Sequence, residues 1–595
     1  MKKVLSKNNL CPYNFNRERI YYKVKPVSLK ITVCCLRIWY NTFRKRADHM
    51  KLKLPLGLKS YEKLKRENYY AVDKTLMIKD FLERGNEVTL ITRPRRFGKT
   101  INMSMMAEFF DITKDSKDIF EGTNIMKTEY ASQINQYPVI FLTFANAKGV
   151  LFNVIQQIKL QLQNLYDKYS FIFSHLTEFE SSNYQMIKEN LLHVADNNFN
   201  NINNTLSFLM EQMERYYGKK VMVFIDEYDT PFIEAHINGF YDDIRSPLSS
   251  LLHNALKTSA NLQYAMLTGI QRVAKENIFS DLNNLTVCTV KDEEYSQYFG
   301  FSEDETKNLL EYYGLSLNEE VKQMYDGYRF ADLEIYNPWS IINYASRKKL
   351  EPYWVNTSSN KMIRKAMAMR DRAFDRDYEG LIRFGTVKTF VRMETSFYEA
   401  NTDASLWGLF INAGYLTIDE IISEKDGIYS LKIPNEEVQK EFQNLTAYYL
   451  KVSETTLTEM FVALKYGMKE YFIDRYKKML LEFPSYHDLK DENSYHVLFL
   501  GMCAWLSNDY EIISNKEEGK GRCDIILKAK EANKTSYVLE FKYLKGAGKE
   551  QLKRAALEAI EQIKEKQYDV NLKEKVVYIG LAHHAKEAEL IWINK

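Results

Sequence analysis

Gly98-Lys99-Thr100 closes the run Arg93-Pro94-Arg95-Arg96-Phe97-Gly98-Lys99-Thr100, and these are the residue types of a nucleotide-phosphate loop. Backbone N–H groups at a helix N-terminus point at an anion. The loop lysine reaches the β- and γ-phosphates, and the Ser/Thr hydroxyl ligates Mg²⁺. Arg96, Phe97, Gly98, Lys99 and Thr100 are therefore candidates for holding ATP, with Thr100 on the metal. The usual pattern starts with glycine, and Arg93 stands there instead. That costs backbone freedom at the start of the loop, but the position does not cradle the phosphate.

Two further stretches supply what a phosphate loop lacks. Val221 to Ile225 is an apolar run followed by Asp226-Glu227. Asp226 at a strand's carboxyl end suits a Mg²⁺ partner, and Glu227 suits the base that orients the attacking water. Tyr264 to Leu267 leads into Thr268-Gly269-Ile270-Gln271-Arg272. Thr268 can sense the γ-phosphate there, and Arg272 can neutralise transition-state charge. A structural arginine is the commoner use of such a residue.

A second cluster lies near the C-terminus. Asp524 follows Gly519-Lys520-Gly521-Arg522-Cys523, and Glu540-Phe541-Lys542 closes the run Tyr537-Val538-Leu539. On a strand, Glu540 and Lys542 face the same side. Asp524 on a neighbouring strand can meet them. Carboxylates gathered at one point bind Mg²⁺, which prefers oxygen ligands, and the lysine can position a water or stabilise phosphate charge. That is the chemistry of metal-assisted phosphodiester hydrolysis. Taken alone, Asp with Glu-x-Lys also arises as solvated strand ends.

The elements around these residues fit their tasks. Val88 to Thr92, Val139 to Phe144, Val221 to Ile225 and Tyr264 to Thr268 read as buried strands, and Ile101 to Phe110, Phe152 to Tyr166 and Asn204 to Tyr217 as helices. Such alternation predicts a mostly parallel sheet covered on both faces. The region from Glu303 to Lys349 is mostly helical. A helix through Leu406–Ala413, then Tyr415-Leu416-Thr417 and Tyr429–Ile433, is compatible with a winged-helix module. Leu457 to Glu482 is again helical. Towards the end come a helix near 495–507, strands at 523–528 and 536–541, a helix at 549–566 and a strand at 576–581.

Composition sets the bounds. With 595 residues, the chain has room for roughly three to four domains. Its net charge of +3 neither requires nor excludes nucleic acid, so any basic patch must be local. The 42 Tyr and 33 Phe, with scarce Pro and Gly, argue for an ordered protein. Six cysteines without C-x-x-C spacing suggest reduced thiols in the cytoplasm. No apolar run reaches the roughly 18 residues that span a bilayer, so no membrane role is expected. Residues 1–49 are basic and match no secretory signal. They read as an unstructured extension, with Met50 as the expected start.

Asn68-Tyr69-Tyr70-Ala71-Val72-Asp73-Lys74-Thr75, the 93–100 loop, Ile225-Asp226-Glu227-Tyr228-Asp229, Thr268-Gly269 and Ile278-Phe279-Ser280-Asp281-Leu282-Asn283-Asn284 together resemble an AAA-ATPase-like family found mainly in bacteria. The resemblance runs from about Leu54 through Asn343. It implies a P-loop ATPase of the additional-strand class, in which Arg at the first loop position is a family trait. Asp281 departs from it, where the family usually has glycine. Pro434-Asn435-Glu436-Glu437-Val438 resembles a family segment before the last domain. Residues from about 490 to 595 resemble the PD-(D/E)XK nuclease domain usually fused to this ATPase. That resemblance carries Asp524, Glu540 and Lys542 onto the catalytic core. It adds Glu492 as an upstream metal ligand and Gln562 as a residue near the site.

The expected organisation is an α/β chain. A basic extension (1–49) precedes a P-loop domain with a parallel sheet (50–290), a helical region (291–375) and a winged-helix-like region (376–450). A helical connector with a restriction-endonuclease-like α/β domain (451–595) completes it. The expected function is an ATPase coupled to a Mg²⁺-dependent nuclease acting on nucleic acid, DNA favoured. Related ATPases often assemble so that a neighbour completes the site, which allows a homo-oligomer. The alternative is a nucleotide-switched interaction protein with an inactive nuclease-fold module, or a scaffold whose ATP site only stabilises the fold.

Overall fold

The computed structural model describes residues 10–15, 18–23 and 51–595, leaving aside 194–198, 200–201, 272–283, 355–359, 368–373, 375–376, 379, 382–384, 394–401, 451, 483–491, 507–508, 519–520 and 573–574. The chain divides into two compact units, Met1–Lys53 and Leu54–Lys595. In the first, β1 (Leu10–Phe15) and β2 (Glu18–Lys23) pair antiparallel, Leu10 opposite Lys23, where no regular structure was expected. Their Tyr, Phe and Ile content suits a pleated strand.

The second unit opens with a five-stranded parallel sheet. Its strands are β3 (Val88–Thr92), β4 (Val139–Thr143), β5 (Val221–Asp226), β6 (Leu262–Gly269) and β7 (Leu285–Cys288). They lie in the order β4-β5-β6-β3-β7. β6 thus stands between the phosphate-loop strand β3 and the acidic strand β5, which is the additional-strand arrangement. β3 and β5 are buried at every position, as strands of a sheet covered on both faces must be. The two faces feed separate cores. Val221, Val223 and Ile225 join one, with helices Leu151–Lys168, Thr205–Tyr217 and Tyr241–Leu256. Met222 and Phe224 join the other, with Met103, Met106 and Phe110 of helix Lys99–Phe110.

After this sheet, helices Glu303–Tyr312, Glu319–Tyr325 and Pro338–Arg347 build a small core around Leu310, Val321 and Ile341. A short hairpin, β8 (Tyr328–Phe330) and β9 (Leu333–Ile335), follows the second helix in the chain and turns Tyr328, Phe330 and Ile335 into the larger core. Then come β10 (Thr386–Phe390), helix Asp403–Ala413, β11 (Thr417–Ser423) and β12 (Ile428–Lys432), in the sheet order β10-β12-β11. This gives the helix–strand–loop–strand succession read from the sequence, with β10 as a third strand.

Helices Glu436–Leu450, Glu454–Lys465 and Lys469–Glu482 lead to the last sheet. It comprises β13 (Tyr510–Glu518), β14 (Gly521–Ala529), β15 (Ser536–Tyr543), β16 (Val576–His584) and β17 (Glu587–Asn594), in chain order. β15 and β16 are parallel and the other pairs antiparallel. A parallel pair needs a crossover, and helix Lys549–Lys566 supplies it. Among the described residues, no helix is long and apolar enough to cross a membrane.

Candidate functional site

The phosphate loop leaves β3 at Thr92 and enters its helix at Lys99. Gly98 takes the left-handed conformation, φ +85°, at the N-cap of that helix. A side chain there would be strained, although it would meet only Ile101 at 3.8 Å. Lys99 Nζ donates to the carbonyls of Arg93 at 2.9 Å and Pro94 at 2.7 Å. Burial pulls its ammonium down to about 8, against the attraction of Glu227, Asp226 and Asp229.

Two hydroxyls converge on Asp226. Thr100 Oγ1 donates to its Oδ2 at 2.8 Å and Thr268 Oγ1 to its Oδ1 at 2.7 Å. These bonds join the ends of β5 and β6 to the phosphate-loop helix. Burial raises the Asp226 carboxyl above its ordinary range, while the two hydroxyls oppose that rise. Glu227 has left-handed backbone, φ 52°, and lines the same cavity as Lys99 and Thr100. This cavity, of about 550 Å³, is also walled by Tyr70, Tyr298, Trp339 and Ile342.

The loop after β6 is pinned from β5's side. Asp229, buried, accepts the N–H groups of Ile270 at 2.8 Å and Gln271 at 3.1 Å. Tyr228 OH donates to the Gln271 carbonyl at 2.9 Å. A Cβ at Gly269 would stand 2.7 Å from Tyr228 and 2.9 Å from Asp229, so only glycine fits this approach. Arg272, one residue on, lies outside the described residues.

Three residues of the loop engage their side chains with neighbouring elements. Arg93 is wholly buried and donates to the carbonyls of Thr92, Cys288 and Glu294. It ties β3 to the edge strand β7, and burial pulls it down to about 10. Phe97, also wholly buried, meets Tyr328 edge-on and Phe330 at a tilt. Burying a phenyl ring contributes about 1.5–3 kcal/mol, so this side chain anchors the loop to the β8–β9 hairpin. Arg96 lies over the Trp339 ring, 4.2 Å from its centroid, and donates to the Tyr353 carbonyl at 3.1 Å. Arg96 and Phe97 both line the cavity with Lys99 and Thr100, while their side chains also bind neighbouring protein groups.

In the last sheet, the β14–β15 ladder runs from Leu527–Tyr537 to Ile525–Leu539. At the next position the acids take over. Asp524 Oδ2 accepts the Phe541 N–H at 2.8 Å, and the Asp524 N–H donates to Glu540 Oε2 at 3.4 Å. Gln562 Nε2 donates to Glu540 Oε1. Lys542 Nζ lies 3.6 Å from Glu540 Oε1 and 3.8 Å from Glu492 Oε1. So Glu492, Asp524, Glu540, Lys542 and Gln562 come together from two strands and two helices. Burial, with Asp524 adjacent, raises Glu540 well above the usual carboxylate range. Burial also raises Glu492. As a trio, however, the three acids are not within 4.8 Å of one another. Among the described residues that spacing is met by Glu303, Asp326 and Glu334 instead.

Gly580 on β16 lets the crossover helix in. A Cβ there would be 2.1 Å from the Ala556 carbonyl oxygen. This close approach seats the helix that carries Gln562 against the sheet.

Residues 55–279 match the family described as a predicted AAA-ATPase, and residues 490–592 match the PD-(D/E)XK nuclease superfamily. The chain carries an AAA-ATPase-like domain and a PD-(D/E)XK nuclease superfamily domain. It is also similar to an uncharacterized protein in vnfD 5'region from Azotobacter chroococcum mcd 1. That similarity is 28% identity over 394 residues, covering 65% of this chain and 68% of the relative.

In the AAA-ATPase-like domain, hard oxygen donors suited to a divalent cation come from Thr100 and Asp226. Asp229 escaped notice in the sequence as more than a motif letter, and its signal was its place two residues past Glu227. In the PD-(D/E)XK domain, Asp524 and Glu540 offer carboxylate donors, with Glu492 beside Lys542. His496, one turn after Glu492, was missed as well. Its Nε2 lies 2.8 Å from Ser514 Oγ and 3.2 Å from the Asp524 carbonyl, so it braces the strand at Asp524.

Between the two domains sits Glu437, a buried acid unforeseen as a link. Its Oε1 accepts the N–H groups of Tyr353 and Trp354, each at 2.6 Å, and Ser340 Oγ donates to Oε2 at 2.8 Å. Burial pushes it up to about 7, against those bonds.

Proposed function

We propose that this chain hydrolyses ATP and uses that site to govern a Mg²⁺-dependent nuclease acting on nucleic acid phosphodiesters, DNA in the first place. The observation that carries the coupling is a continuous run of contacts. Arg96 of the phosphate loop bonds to the Tyr353 carbonyl, and the N–H of the same Tyr353 bonds to Glu437. Glu437 sits in the first turn of helix Glu436–Leu450, which packs on helix Glu492–Met502, whose first residue is Glu492. A shift of the loop on binding phosphate therefore has a packed route to the nuclease acids.

In the ATPase step, the loop's N–H groups and Lys99 hold the β- and γ-phosphates. Glu227 orients a water for in-line attack, and Thr268 reads the terminal phosphate through its place beside Asp226. Mg²⁺ bound at Thr100 and Asp226 would neutralise charge on the bridging phosphates. In the nuclease step, Asp524 and Glu540 would hold the cation, Glu492 would complete its shell, and Lys542 would stabilise the charged phosphate. Such a cation polarises the phosphoryl group and lowers the pKa of a bound water. Residence in the cytoplasm, and assembly of copies so that a neighbour completes the ATP site, belong to the same reading.

The spacing of Glu492, Asp524 and Glu540 favours one rival, a nucleotide-switched interaction protein with an inactive nuclease fold. Cleavage of a panel of DNA and RNA, single and double stranded, in Mg²⁺ or Mn²⁺ separates the two. Cutting by the wild type that is absent in Asp524→Ala and Lys542→Ala supports the nuclease. A wild type that cuts nothing under any metal or nucleotide condition leaves the rival standing.

A further inference from the structure

Lys148 follows β4, the strand beside β5, and Thr143 of β4 is in register with Asp226. Ligands of open α/β sheets bind outside the carboxyl ends of the strands, and Lys148 lies just beyond that end. Its segment is fixed in place. The Phe144 N–H donates to the Asp226 carbonyl at 3.0 Å, and the Ala147 N–H to the Phe144 carbonyl at 2.9 Å. Next to it, the Gly149 N–H donates to Glu234 Oε2 at 3.1 Å, and Asn238 Nδ2 donates to the Gly149 carbonyl at 3.0 Å. Glu234 and Asn238 belong to helix Thr230–Asn238, which begins three residues after Glu227. One helix therefore follows the acidic pair and holds the turn that presents Lys148.

Lys148 lines the cavity of the phosphate loop together with Lys99, Thr100 and Glu227. It is half-buried. Among the described residues its ammonium has no hydrogen-bond or ion-pair partner. The neighbouring loop cations contrast with it. Arg93 is turned into the core, Arg96 is bonded to the Tyr353 carbonyl, and Lys99 is bonded to loop carbonyls. A lysine stem can lie against the cavity wall while its ammonium stays free to meet an incoming anion. On the ATP-hydrolysis reading, the anion that enters this cavity is a nucleotide phosphate.

We propose that Lys148 is a further catalytic residue of the ATPase, contacting the γ-phosphate of the bound nucleoside triphosphate. The assignment rests on the ATP-hydrolysis reading above. In that reaction water adds to the γ-phosphorus and gives its proton to Glu227. The bond from the γ-phosphorus to the β–γ bridging oxygen breaks, and that oxygen leaves with the electron pair as part of ADP. Negative charge spread over the equatorial γ-oxygens is what Lys148 stabilises. ADP lacks those oxygens, so Lys148 distinguishes the triphosphate from the diphosphate.

The test is affinity for ADP and for a non-hydrolysable ATP analogue, both with Mg²⁺, alongside steady-state hydrolysis, in wild type, Lys148→Met and Lys148→Arg. Lys148→Met should bind the analogue roughly tenfold more weakly and bind ADP as wild type does. Its kcat should fall roughly 10²-fold, as when one transition-state donor is removed. Lys148→Arg, keeping the charge, should recover part of that rate. An unchanged kcat in Lys148→Met, or ADP affinity falling in step with that for the analogue, overturns the assignment. Wild-type protein that binds neither nucleotide would sink the ATPase reading itself.

Discussion

Thr100 and Asp226 are 126 residues apart in the chain and meet in a 2.8 Å hydrogen bond. The bond joins the two halves of a P-loop site, the phosphate-loop helix and the strand that presents the acid. Both groups are oxygen donors of the kind a divalent cation prefers, and each fixes the position of the other. They should behave as one unit. Thr100→Ala and Asp226→Asn are each expected to lower ATP hydrolysis by roughly 10²-fold or more. The double variant should lose little beyond the worse single. Steady-state hydrolysis across this cycle checks it, and fully additive losses would show that the two act separately.

Binding and turnover should come apart within the same cavity. On the proposed reading Lys99→Ala removes the side chain that would reach the phosphates, so fluorescent ATP should no longer bind. Glu227→Gln keeps the shape but loses the base, so ATP should bind while hydrolysis falls by roughly 10²-fold or more. Normal ATP binding by Lys99→Ala would mean the site is elsewhere.

The crossover helix of the last domain depends on Gly580. Gly580→Ala places a methyl 2.1 Å from the Ala556 carbonyl oxygen. Overpacking of this kind costs about 1–3 kcal/mol. Thermal unfolding should show a lowered Tm, and any cleavage activity should weaken because Gln562 moves with the helix. An unaltered Tm would mean the helix is not seated there as tightly as described.

Much of this arrangement was legible in the sequence because burial on both faces leaves an unbroken apolar run. Val88–Thr92, Val221–Ile225 and the helix at 549–566 stand within a residue of where the residue pattern puts them. β7, β13 and β17 were not read. β7 has four residues, too short for a period, and β13 ends in the polar run Ser514-Asn515-Lys516-Glu517-Glu518. β17, at the sheet edge, alternates buried and partly exposed positions. Site residues that bear motif letters, such as Lys99, Asp226, Asp524 and Glu540, were legible. Those that act through distant backbone were not. Asp229 bonds 41 residues away, Glu437 84 residues away, and nothing local marks either partner.

Glu437 gives stability a pH dependence of defined sign. Burial holds its pKa at about 7 in the folded protein, against 4.5 ordinarily. The folded state therefore keeps the proton more tightly than the unfolded one. This group's contribution is most favourable below 4.5 and is lost as pH rises through about 7. Glu437→Gln removes the titration. Between about pH 5 and about pH 8, wild-type Tm should fall relative to that of Glu437→Gln. Parallel Tm profiles would exclude the effect.

The coupling between the two domains is tested most directly by the rate of nucleic-acid cleavage in Mg²⁺, with and without ATP, in wild type, Lys99→Ala and Asp524→Ala. The expected result is a wild-type rate that changes with ATP, a Lys99→Ala rate that ignores it, and no cleavage by Asp524→Ala. A wild-type rate identical with and without ATP, or cleavage that survives in Asp524→Ala, would contradict it.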